Sequence, residues 1–82
     1  MVWFFERDEE VLTLECRYEN DSAEFVITTH HPGGQQKAER FLSLDNFGRR
    51  LMELEGGLLQ ERWTASGPPV ILPQGWPDKR LT

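Results

Sequence analysis

The sequence has one cysteine, no long apolar run and no excess of basic residues. A lone Cys16 excludes an intramolecular disulfide framework, and the alternating apolar pattern around it predicts a small buried side chain. No run of about 18 apolar residues is present, so the sequence predicts neither a membrane span nor a membrane partner. No basic and then apolar leader opens the chain, and a reducing cytoplasm is the expected compartment.

Basic residues are fewer than acidic residues. Nine lysines and arginines stand against fourteen acidic residues, which gives a formal net charge of −5. This balance disfavours nucleic acid or an anionic membrane as the main partner, because both repel an acidic surface. The 82 residues are 38% hydrophobic and 28% charged, which is typical of one folded domain.

Sequence motifs for catalysis or metal binding are also missing. There is no CxxC, HExxH or G-x-S-x-G pattern, and the Pro-Gly-Gly run at 32–34 is typical of a turn rather than a phosphate loop. His30 and His31 are neighbours in a predicted strand, so their rings point to opposite faces and cannot chelate one metal. Cys16 is expected to be buried and inert. The sequence therefore predicts no enzyme, no catalytic residue, no metal site and no cofactor.

The first half of the chain contains short segments of alternating apolar and polar residues, separated by turn signals at 7–9, 20–22 and 31–34. Alternation with period two predicts β-strands, because successive side chains point to opposite faces. The predicted strands are 2–6, 11–18, 24–30 and 35–42.

A helix is predicted directly after the last strand. Ser43 can cap it, and Asp45 suits the positive end of the helix dipole. Apolar residues then form one stripe at spacings of three and four: Leu44, Phe47, Leu51, Leu54 and Leu58. Each glycine of Gly56-Gly57 costs about 1 kcal/mol in a helix, so the helix either ends at Glu55 or continues to about Arg62. The stripe keeps its phase beyond the glycines, which favours the continuous helix.

The sequence changes character after residue 63, where prolines recur at 68, 69, 73 and 77. The predicted organisation is a sheet-plus-helix domain over 1–63 and an extended Pro-rich C-terminal arm over 64–82. The arm carries apolar residues, among them Ile71 and Trp76. We expect it to pack on the domain or on a partner subunit.

The predicted fold class is α+β, a four-stranded antiparallel sheet backed by one helix in the order β-β-β-β-α. One helix covers one sheet face, and the opposite face is not cleanly polar, so it needs cover from the arm or from a second copy of the chain. Beside the main helix stripe, Met52, Gly56 and Leu59 lie at i, i+4 and i+7. These three residues, with Ile71 and Trp76, form the candidate assembly surface of a homodimer or of a complex with another protein.

The functional prediction is a small, non-catalytic interaction or accessory module that self-associates. The alternative is a single-stranded nucleic-acid-binding regulator that uses the uncovered sheet face, because basic and aromatic side chains on a sheet hold single strands. Its candidate binding surface consists of Phe4, Arg17, His30 and Arg40. An unclassified enzyme ranks third.

The order of four strands and then a helix resembles, at the level of element order, the whirly-type single-stranded-DNA regulators. That resemblance implies nucleic-acid binding on the sheet. None of that family's sequence motifs occurs in this chain, and the family's basic character is missing. A likeness of element order carries little functional weight.

Overall fold

The structure is a computed structural model that describes residues 1–66. Residues 67–82 lie outside the described residues, and the predictions for Ile71 and Trp76 stay predictions. The elements are β1 (Val2–Arg7), β2 (Glu10–Glu19), β3 (Glu24–His30), β4 (Gln36–Phe41), α1 (Leu44–Gln60) and β5 (Thr64–Ala65).

The strands form one antiparallel sheet in the order β4-β3-β2-β1-β5. The four predicted strands and the single helix are confirmed. The short strand β5 was assigned to the arm by the sequence, yet it pairs with β1 through Ala65 opposite Phe5 and Thr64 opposite Glu6. Ser66 continues the contact, since its N–H donates to the Phe4 carbonyl at 2.7 Å. A strand of two residues is too short to give a periodic signal.

The main core lies between α1 and the sheet face that it covers. Phe5, Leu12, Leu14, Cys16 and Ile27 are buried there, as the alternation predicts. Phe47 enters the same core from α1 and stacks on Phe25 with ring centroids 5.1 Å apart. Leu44 differs from the prediction: it was placed on the inner stripe and is 61% exposed. It lies in the first helical turn, at the border between the inner stripe and the solvent side.

Helix α1 begins and ends with local hydrogen bonds. The Ser43 hydroxyl accepts the N–H of Asn46 at 3.2 Å, which satisfies one of the free donors of the first turn. The helix continues through the glycine pair to Gln60, so the continuous alternative is confirmed. It ends where Trp63 N–H donates to the Leu58 carbonyl at 2.9 Å, with Arg62 in the left-handed region at φ 71°.

Replacing Ser43 with alanine should lower the free energy of unfolding by about 1 kcal/mol, because the Asn46 N–H loses its acceptor. Urea denaturation followed by circular dichroism measures this loss. Ser43→Asp is the matched control, since its carboxylate can cap the same N–H and should keep most of the stability. An alanine variant with the wild-type midpoint would contradict the capping role.

Trp63, the residue that follows the closing turn, belongs to the core. It is buried against Phe5, Leu12 and Leu14. The Arg7 guanidinium lies 4.4 Å from the centroid of its ring and donates to the Glu61 carbonyl at 2.9 Å. Trp63 therefore packs the end of α1 against β1 and β2, and the chain continues from it directly into β5.

Candidate functional site

The sheet face turned away from α1, here called the open face, carries all four residues of the predicted nucleic-acid surface. By register, Val26 lies between Arg17 on β2 and Arg40 on β4. Val26 is fully buried although α1 does not cover this face. The aliphatic stems of the flanking arginines can cover it while their charged ends stay in water.

The arginines of the open face are paired with carboxylates. Arg17 donates to Glu19 at 2.9 Å, and Arg40 donates to Glu19 and also to Glu24, the latter at 3.2 Å. The hydrogen bond from Arg40 is the main reason that the pKa of Glu19 lies below its ordinary value. A nucleic-acid phosphate would therefore compete with these carboxylates for both guanidinium groups.

The four predicted residues share the face without converging on one spot. Phe4 and His30 lie in one row across the sheet, each paired with Thr13. Arg17 and Arg40 lie in another row, about 13 Å away along β3. His30 is itself 3.2 Å from a Glu15 carboxylate oxygen. The nucleic-acid alternative stays a prediction that this arrangement does not strengthen.

The second predicted surface is on the solvent side of α1. We define the helix outer surface as one stripe of exposed or partly exposed residues at successive spacings of four, four, four and three: Leu44, Gly48, Met52, Gly56 and Leu59. Met52 is 72% exposed and Leu59 is 61% exposed. A Cβ atom built on either glycine would meet no neighbouring atom within 4 Å. The structure thus brings together the predicted Met52, Gly56 and Leu59, and it adds two residues that the sequence did not assign to this surface.

Three further observations concern residues 1–66. Within this range no group of three or more His, Cys, Asp or Glu side chains is placed to hold a metal ion. No helix in the same range combines the length and the apolar character needed to cross a membrane. Burial raises the pKa of the Cys16 thiol to about 12, which leaves it protonated and a poor nucleophile near neutral pH.

Comparisons with protein families, with curated proteins and with solved structures find no match for this chain. The functional proposals below therefore rest on the geometry and chemistry of its own residues.

Proposed function

We propose that the protein is a small non-catalytic interaction module that self-associates through the helix outer surface. The observation that carries this proposal is the exposure of three large apolar side chains on one stripe of α1: Leu44, Met52 and Leu59. Grouped exposed apolar side chains are typical of an interaction site, whereas single ones are ordinary.

The glycines of the stripe support the same proposal. Gly48 and Gly56 each cost about 1 kcal/mol relative to alanine in a helix interior. Neither has a positive φ, and neither is required by a close contact among residues 1–66. A glycine on a helix surface allows the backbone of another helix to approach closely, which would explain glycine at these two positions.

A second copy of the chain suits the stripe because the pattern is self-complementary. In a two-fold dimer, residue i contacts residue j and residue j contacts residue i. An antiparallel crossing centred on Met52 sets Gly48 opposite Gly56 of the partner subunit, since each lies four residues from the centre. The same crossing sets Leu44 beside Leu59 of the partner subunit.

Charge also complements across this crossing. Arg49 donates to the Asn46 side chain at 3.2 Å and makes no ion pair with any residue of 1–66. In the antiparallel arrangement, Arg49 lies on the same flank and at nearly the same level as Glu53 of the partner subunit. Such a rim pair would favour this orientation of the two helices over the parallel one.

Replacing Met52 with glutamate should convert a dimer into a monomer. The substitution places two carboxylates against each other at the centre of the crossing, where they would be buried without a cation. Light scattering over a tenfold range of concentration measures the molar mass. We expect a dimer for the wild-type chain, a monomer for the variant and the same circular dichroism spectrum for both.

Val11→Glu is the matched control. Val11 is also an exposed apolar residue, at 48%, but it lies on the open face, so this variant should stay dimeric. A monomeric wild-type chain at every concentration would overturn the proposal. A dimer that Val11→Glu dissociates and Met52→Glu leaves intact would also overturn it and would move the interface to the open face.

A further inference from the structure

A groove of about 340 Å³ lies between α1 and the sheet, above β2, β3 and β4. Its apolar lining consists of Leu12, Leu14, Leu54 and Leu58. Small-molecule sites have volumes of about 300–1,000 Å³ and combine an apolar lining with a few polar groups. This groove lies on a different side of α1 from the helix outer surface, and none of the five residues of that stripe lines it.

Gly57 keeps the groove open. It lines the groove from the helix, and a Cβ atom built on it would meet nothing within 4 Å. Its φ is not positive, so the helix backbone does not require glycine at this position. A larger side chain would raise helix propensity and would occupy the groove. Glycine at position 57 therefore costs helix stability and preserves a space.

The Thr29 side chain lines this groove. The residue is 7% exposed, and its hydroxyl makes no hydrogen bond to any other group in residues 1–66. A buried hydroxyl that lacks a partner loses its hydration without compensation. A ligand atom that accepts a hydrogen bond from the Thr29 hydroxyl would compensate for the lost hydration.

Lys37 supplies a charge next to that hydroxyl. It is the direct cross-strand neighbour of Thr29 on β4 and lines the same groove. Directly opposed side chains lie about 5 Å apart at their Cβ atoms. Within residues 1–66, Lys37 makes no ion pair. Lys37 can therefore extend its ammonium group toward the Thr29 hydroxyl, and both groups can donate to one anion in the groove.

The rim also carries the guanidinium of Arg50 and three carboxylates, those of Glu39, Glu53 and Glu61. Arg50 donates to Glu39 at 2.8 Å and to Glu53 at 3.3 Å, so its charge is already engaged. The geometry points to a binding site for a small carboxylate with an apolar chain. The carboxylate would bind Lys37 and Thr29, and the chain would lie along the leucines.

Titration with sodium octanoate, followed by two-dimensional amide NMR of the full chain, tests this inference. We expect saturable shifts at Thr29, Lys37 and Gly57, and binding at least about tenfold weaker for 1-octanol, which lacks the carboxylate. Lys37→Met should weaken octanoate binding about tenfold, because it removes the cation and keeps most of the aliphatic stem. Thr29→Val should weaken it as well, since the valine has the same shape and no hydroxyl.

Two leucine variants at nearby positions of α1 provide the matched control. Gly57→Leu should abolish the saturable shifts by filling the groove, whereas Gln60→Leu lies outside both the lining and the helix outer surface and should keep them. Shifts that do not saturate at millimolar octanoate, equal binding of octanol, or retained binding in Gly57→Leu would each overturn the inference. Because octanoate and molar mass are measured separately, failure here is distinguishable from failure of self-association.

Discussion

Replacing Trp63 with alanine should lower the free energy of unfolding by about 3–5 kcal/mol. The ring is buried against Phe5, Leu12 and Leu14, and its removal leaves a cavity where α1 meets the sheet. A domain of this size has a total stability of about 4–12 kcal/mol, so this loss is a large fraction of the total. Urea denaturation followed by far-ultraviolet circular dichroism gives the value without relying on tryptophan fluorescence.

Trp63→Phe is the control for this prediction. Phenylalanine keeps an aromatic ring under the Arg7 guanidinium and fills most of the space, so it should cost clearly less than alanine. A Trp63→Ala variant within about 0.5 kcal/mol of the wild type would mean that the site behaves like an ordinary surface position.

Trp63 also shows where sequence periodicity stops being informative. It lies in neither a strand nor a helix of useful length, so neither period two nor period 3.6 predicts its burial. The closing turn does predict it: when Trp63 bonds back to Leu58, side chains five residues apart come into contact. The sequence does not indicate this turn, because Arg62, rather than glycine, adopts the left-handed conformation.

The covered face of the sheet was predictable because its signal is local. Alternation along β2 places Leu12, Leu14 and Cys16 on one side, whatever the neighbouring strands do. The structure buries all three. The continuation of α1 through its glycines was predictable for the same reason, since the phase of the apolar stripe is a property of one segment.

The candidate sites were less predictable because they depend on register between strands. Parity along each strand places Arg17 and Arg40 on one face, but their shared partner Glu19 appears only once β2, β3 and β4 are aligned. The Thr29 and Lys37 pair has the same origin. Register is fixed by turn geometry and by the burial pattern together. The sequence is a poor guide to turn geometry.

Native Cys16 should react with iodoacetamide about a thousand times more slowly than the same thiol in the urea-unfolded chain at about pH 8. Burial, the main cause, raises its pKa from the ordinary 9.0 to about 12, opposed by the N-terminal ammonium and reinforced by Glu55 and Glu15. Because the thiolate is the reactive form, the thiolate fraction falls by about three powers of ten. Mass spectrometry of timed samples gives both rates.

The same pKa shift makes stability depend on alkaline pH. The folded state keeps the Cys16 proton up to about pH 12, whereas the unfolded chain releases it near pH 9. The contribution is therefore complete below about pH 9 and is lost as the pH rises toward 12. A Cys16→Ala variant should lose less stability over this interval. Position 11 is exposed, so a Val11→Cys substitution in the Cys16→Ala variant should be alkylated at the rate of an unfolded thiol. A native Cys16 rate within about tenfold of the unfolded rate would show that the thiol is open to solvent.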